Sequence, residues 1–111
     1  MKCIIECICP LRNKCSTITL KDGKIYIDDG RYERVVLNDE DEVDEFYERL
    51  YKIVFTWKQE YIGERVYDGE KYLIEFDVNH KRRKYKIQNK FPSNWEEFLK
   101  VREDILAFDE E

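Results

Sequence analysis

The residues with the most potential for chemistry are four cysteines near the amino terminus, Cys3, Cys7, Cys9 and Cys15. Their spacing does not match the Cys-x-x-Cys pairs typical of zinc sites. In an extended strand, Cys3 and Cys7 lie about 13 Å apart at ~3.3 Å per residue, which is too far for one metal ion. Cys9 and Cys15 flank a short loop, so a disulfide or a thiol redox sensor stays open there. Small core and loop thiols are the favoured interpretation.

The single histidine, His80, falls in a predicted turn between Asn79 and Lys81. A general base needs a hydrogen-bonded partner and a pocket, and an exposed turn offers neither. The serines have no histidine partner in view, and Ser93 is explained as a helix cap. The sequence therefore predicts no catalytic residue, no metal ligand and no cofactor, and we expect a protein that is not an enzyme.

A basic run near the carboxyl-terminal third comprises Lys81, Arg82, Arg83, Lys84, Lys86 and Lys90. Strand alternation places Tyr85 in the core and Lys84 and Lys86 on the outer face. These two lysines could contact nucleic-acid phosphates, or they could pair with Glu75 and Asp77 on the neighbouring strand. A net charge of −5 disfavours nucleic-acid binding.

Aromatic residues supply a second candidate surface. Trp57 and Tyr61 lie in a stretch without regular periodicity, and Tyr67 is equally hard to place inside a core. Exposed aromatic residues often mark interfaces, although these could instead cover the open end of the sheet. The candidate interaction surface therefore comprises Trp57, Tyr61, Tyr67, Arg82, Lys84 and Lys86.

Secondary-structure signals define the elements that must position these residues. The pairs Asp22-Gly23 and Asp68-Gly69 are strong hairpin signals, because a type I′ turn requires positive φ at both central residues. Asn38 is the predicted N-cap of a first helix that ends near Val54. Ser93 to Glu96 forms a capping-box sequence before a second helix that ends near Phe108. Strands are predicted over 2–9, 15–21, 24–28, 32–37, 64–68, 71–78 and 82–88.

Both helices carry the apolar stripe of a core-facing helix. The first stripe is Val43, Phe46, Tyr47, Leu50, Ile53 and Val54, and the second is Trp95, Phe98, Leu99, Arg102, Ile105 and Leu106. The shared spacing predicts two pseudo-repeated strand–strand–helix halves, at about 1–55 and 56–108. The whole chain, 1–111, is expected to be a single α+β domain. It combines a mostly antiparallel sheet of six to seven strands with two helices on one face.

Composition narrows the class of protein. Charged residues make up 41% of the chain and aromatic residues 14%, which is enough bulk for one small core. No apolar stretch approaches the ~20 residues that span a bilayer, and the first residues lack a signal-peptide core. We expect a cytoplasmic protein without a membrane partner.

The second half of the chain resembles a group of small bacterial α+β proteins to which no activity is attached. The residues that carry the resemblance are Trp57, Tyr61, Val66, Asp68, Gly69, Tyr72, Ile74, Phe76, Asn89, Phe91, Pro92, Asn94 and Trp95. The resemblance implies no functional residue. It implies that Asn89, Phe91 and Pro92 shape the turn between the last strand and the second helix.

These observations favour a non-enzymatic protein-binding module of the inhibitor or immunity type. Six carboxylates in Asp39–Glu45 either offer a docking face for a basic partner or form a solvated helix start, which is the favoured interpretation. Nucleic-acid contact through Lys81–Lys86 and a thiol sensor are the alternatives. An uncovered strand edge would allow two copies to pair as a homodimer.

Overall fold

The computed structural model describes residues 1–8, 16–64 and 70–110, and it confirms the predicted α+β domain. The strands are β1 (Lys2–Ile8), β2 (Thr17–Lys21), β3 (Lys24–Asp28), β4 (Glu33–Leu37), β5 (Glu60–Ile62), β6 (Lys71–Val78) and β7 (Lys81–Gln88). The helices are α1 (Glu40–Val54) and α2 (Trp95–Leu106), and a 3₁₀ turn follows at Ala107–Glu110.

All seven strands form one sheet in the order β4-β3-β2-β1-β6-β7-β5. Neighbouring strands are antiparallel except β5, which pairs parallel with β7 at the edge. The predicted strand at 64–68 lies, apart from Glu64, outside the described residues, and the structure adds a short strand at Glu60–Ile62. The Asp68-Gly69 hairpin signal lies outside the described residues.

The turn predicted at Asp22-Gly23 is confirmed, and the turn predicted over Asn79-His80-Lys81 is one residue shorter, because Lys81 already belongs to β7. Asp22 and Gly23 both have positive φ, 53° and 71°, which is the type I′ requirement. Asn79 and His80 repeat this geometry between β6 and β7, with φ values of 50° and 65°. Asn89 also has positive φ at the end of β7, which agrees with its predicted role in the turn that leads to α2.

Helix α1 buries one stripe and is capped one residue later than predicted. Asp39, not Asn38, is the N-cap, since its carboxylate accepts hydrogen bonds from the amides of Asp41 and Glu42. The buried residues are Val43, Tyr47, Leu50 and Val54, while Phe46 and Ile53 are partly buried at its margins.

The capping box predicted at the start of α2 is wrong. The N-cap position is Asn94, not Ser93, and its side chain makes no capping hydrogen bond. The buried stripe also differs from the prediction, because Val101 is buried whereas Arg102 is only partly so. The residues buried are Trp95, Phe98, Val101 and Ile105.

A single core lies between the sheet and the two helices. The covered face of the sheet contributes alternating apolar residues, such as Ile5, Ile27 and Ile74, each at most 1% exposed. The predicted pseudo-repeat is not confirmed, because four strands precede α1 whereas the described part of the second half has three. One of those three, β5, pairs parallel. The two helices also bury different stripe positions.

Candidate interaction face

The face of the sheet opposite the helices is here called the open face. Tyr47 of α1 contacts the Phe76 ring on β6, and Trp57 contacts the Tyr85 ring on β7. Phe76 and Tyr85 therefore lie on the side of the sheet that the helices cover. Side chains alternate along strands, so the intervening residues point to the other side. The open face comprises Lys2, Ile4, Glu6, Ile8, Thr17, Thr19, Lys21, Lys24, Tyr26, Asp28, Glu60, Ile62, Lys71, Leu73, Glu75, Asp77, Arg82, Lys84, Lys86 and Gln88.

Three lysines form a basic row at one end of the open face. Strand register places Lys24 directly opposite Lys21 and Lys21 directly opposite Lys2. Like charges in direct cross-strand register destabilise a sheet. Asp77 of β6 lies opposite Lys2, but Lys21 and Lys24 have no carboxylate opposite them on the described strands.

On β1, β2 and β3, the middle row of the open face is uncharged. Tyr26 lies opposite Thr19, and Thr19 lies opposite Ile4. Thr19 is only 9% exposed. The Lys21 ammonium lies 5.3 Å from the centre of the Tyr26 ring, within cation–π range. Val35 on β4 pairs with Tyr26 and extends this row to the sheet edge.

The acidic row lies on the other side of the middle row. Asp28 lies opposite Thr17, which in turn lies opposite Glu6. One oxygen of Asp28 accepts the Gly30 amide at 2.8 Å. The first three strands thus present a basic row, a middle row and an acidic row, in that order along the strand direction.

The half of the open face on β6 and β7 is organised differently. There the charges alternate across strands, with Glu75 opposite Lys84 and Arg82 bonded to Glu75 at 2.8 Å. Leu73 lies opposite Lys86 at the centre of this half. A shallow groove of about 600 Å³ runs over it. This half provides mixed charge around an apolar centre.

The structure divides the predicted basic run between two faces. Arg82, Lys84 and Lys86 lie on the open face, where carboxylates alternate with them. Lys81 and Arg83 lie on the helix-bearing side, where they line a small depression with Tyr51. The run is therefore not one continuous strip that a nucleic-acid backbone could follow.

Trp57, which was predicted as part of the candidate interaction surface, is buried and only 7% exposed. Its ring contacts Tyr85, Trp95 and Phe98 at centroid distances of 5.4 to 6.4 Å. Tyr61 is partly buried, and its hydroxyl accepts the Lys58 amide at 3.0 Å. Tyr67 lies outside the described residues.

Asn94 explains why an irregular stretch can hold a tryptophan in the core. The Trp57 indole Nε1 donates to Asn94 Oδ1 at 2.6 Å, and Asn94 Nδ2 donates to the Ile53 carbonyl at 3.1 Å. The side chain of Asn94 therefore joins the end of α1, the following segment and the start of α2. A buried indole N–H needs such a partner.

The remaining residues with chemical potential occupy unreactive positions or lie outside the description. Burial strongly raises the pKa of the Cys3 thiol, which disfavours the nucleophilic thiolate. His80 is exposed in its turn. Cys9 and Cys15 fall in the segment between β1 and β2 that the structure does not describe. In the described ranges, no three His, Cys, Asp or Glu residues are grouped as metal ligands.

The described helices include none that is long and apolar enough to cross a membrane. Comparisons with protein-family models, with curated proteins and with solved structures find no match.

Sequence reasoning missed the basic row. Its signal was available at the hairpin, because a two-residue turn at Asp22-Gly23 forces Lys21 and Lys24 into direct register. The third member, Lys2, depends on long-range pairing of β1 with β2, which no local pattern specifies.

Proposed function

We propose that this chain is a non-enzymatic protein-binding module whose contact surface is the open face. The observation that supports this most strongly is a sheet face that no described helix or strand covers. It carries partly buried apolar residues at its centre, Ile4, Tyr26 and Leu73, surrounded by charge. A polar rim around an apolar centre is the usual anatomy of a protein interface.

The charge pattern defines the chemistry of the partner surface. Opposite the basic row the partner presents carboxylates, and opposite the acidic row it presents basic groups, with an apolar strip between them. Such complementarity sets orientation and rejects wrong partners more than it adds affinity. A module of the inhibitor or immunity type acts in this way, by occupying a surface rather than by doing chemistry, and we place it in the cytoplasm.

Nucleic-acid contact is the weaker candidate. Phosphate binding needs cations that are not neutralised by neighbours, and Arg82 is already bonded to Glu75. The acidic row and the helix start at Asp39–Glu45 add repulsion on two further sides.

Affinity capture with matched variants tests the proposal. Ile4→Arg alters the centre of the open face, whereas Phe55→Arg alters a 50% exposed apolar residue that follows α1 on the helix side. We expect Ile4→Arg to lose bound protein and Phe55→Arg to retain it, with both variants folded by circular dichroism. Equal capture by the two variants contradicts the open face as the contact surface. Capture that is abolished by nuclease favours nucleic acid instead.

A further inference from the structure

On β1 and β3, the residues on the two sides of the middle row carry opposite charges. On β1 the outward residues are Lys2, Ile4 and Glu6, and on β3 they are Lys24, Tyr26 and Asp28. Each strand therefore places a cation and a carboxylate about 6.6 Å on either side of an uncharged residue, at ~3.3 Å per residue. The strand between them, β2, contributes Lys21 but no carboxylate.

The basic row is only partly offset by carboxylates of the described residues, because Asp77 of β6 lies opposite Lys2 alone. None of Lys2, Lys21 and Lys24 forms an ion pair with a carboxylate in the described ranges. Lys21 instead contacts the Tyr26 ring. Direct register of Lys21 with the other two lysines costs stability, and negative charge from outside the chain would reduce that cost.

The same chain supplies a matching surface. We propose that the open face binds a second copy of this chain, face to face, about a two-fold axis that runs along the middle row. This rests on the proposed function and names its partner. The two-fold rotation exchanges the basic and acidic rows, so Lys2 faces Glu6 of the second copy and Lys24 faces its Asp28. The middle rows meet each other, which is the self-complementarity that an isologous interface requires.

The geometry limits the contact to β1, β2, β3 and the adjoining part of β4. Sheets that pack face to face lie ~10 Å apart and cross at about 30°, so strands far from the crossing point no longer lie over their counterparts. Beside β1, the same rotation would bring Glu75 of β6 towards Glu75 of the second copy, and on β7 it would bring Arg82 towards Lys86. These like-charge approaches disfavour close contact over β6 and β7. A patch about 15–20 Å on a side, from strands ~4.8 Å apart, is small for a stable interface, so a weak dimer is expected.

Sedimentation velocity of charge-reversal variants at Lys2 and Glu6 tests the proposed dimer. Wild type should shift from the 13.7 kDa monomer towards a dimer as its concentration rises to several hundred micromolar. Lys2→Glu places carboxylate against Glu6 of the second copy, and Glu6→Lys places two ammonium groups together. Each variant alone should therefore remain monomeric over the same range.

Mixing the two single variants distinguishes loss of a specific contact between two copies from a general effect of each substitution. An equimolar mixture of Lys2→Glu and Glu6→Lys restores opposite charges at both contacts, and so does the double variant, so both should recover the wild-type shift. Lys100→Glu and Glu97→Lys change net charge equally on the exposed side of α2 and should dimerise as wild type does. Thermal unfolding of every variant checks that each is folded.

Three results would overturn the second copy as the partner. They are a wild type that stays monomeric throughout, single variants that dimerise as well as wild type, or a mixture that stays monomeric. A monomeric wild type that nevertheless captures another protein through Ile4 would remove the homodimer and leave the proposed function standing. Loss of both self-association and capture would remove both.

Discussion

Asn94 should be worth more to stability than any other polar residue near the start of α2. Asn94→Ala removes the acceptor for the Trp57 indole and the donor for the Ile53 carbonyl. A buried polar group left without its partner costs about 1–3 kcal/mol. Because both groups are only part-buried, water recovers some of this loss, and we expect about 2–3 kcal/mol of destabilisation for the pair of bonds.

Ser93→Ala is the matched control for this prediction. The sequence pattern makes Ser93 a helix cap, whose removal would cost roughly 1 kcal/mol. The structure places it as an exposed residue before the N-cap, so its removal should change stability by less than about 0.5 kcal/mol. Asn94→Asp should lie between the two, because a carboxylate still accepts the indole N–H but cannot donate to the Ile53 carbonyl.

Urea denaturation followed by circular dichroism measures all three variants on one scale, with the free energy of unfolding taken from the midpoint and slope. The reasoning is refuted if Ser93→Ala costs as much as Asn94→Ala. It is equally refuted if Asn94→Ala costs less than about 0.5 kcal/mol, which would mean that water replaces both bonds without loss.

Three further predictions concern other parts of the chain. Tyr47→Phe should be neutral or stabilising by up to about 1 kcal/mol in urea denaturation, because the buried hydroxyl has no hydrogen-bond partner in the described ranges and its burial raises its pKa to about 12. The hydrogen bond from Arg34 lowers the pKa of Asp109, so the stability advantage of wild type over Asp109→Asn should be full near neutral pH. It should shrink below about pH 4, as pH falls through the lowered folded-state pKa; an advantage that grows in acid contradicts the assignment. Lys21→Gln should leave stability unchanged or raise it by a few tenths of a kcal/mol at low salt, because it relieves repulsion from Lys2, and a clear loss would show that the Tyr26 contact outweighs that repulsion.

Local patterns were sufficient to predict most of the elements. The apolar stripe of α1, the turns at Asp22-Gly23 and Asn79-His80, and the alternation in β6 all reflect interactions between residues close in sequence. Such signals carry over directly into structure, because they require no knowledge of what lies across the core.

The errors came from contacts between distant segments. Trp57 has no periodic neighbours, and its burial depends on aromatic rings and on Asn94, which lie far along the chain from it. The Asn94 side chain bonds the indole and makes no capping hydrogen bond to α2, which the capping box predicted at Ser93 does not anticipate.

The candidate face was visible only in part for the same reason. Alternation placed Lys84 and Lys86 outward, but the basic row needs the register of β1 on β2. Register depends on how the whole sheet is assembled, so the pattern that carries the proposal appears only once the strands are paired.

Lysine footprinting tests the central claim most directly, because it reports which surface is covered without any substitution. The acetylation rate of each lysine is measured by mass spectrometry at low micromolar and at several hundred micromolar protein. Lys2, Lys21 and Lys24 should lose reactivity at the higher concentration, whereas the exposed Lys58 and Lys100, which lie off the open face, should react equally at both. Unchanged rates at the three row lysines, or protection at Lys58 and Lys100 instead, would contradict the open face as the surface on which two copies meet.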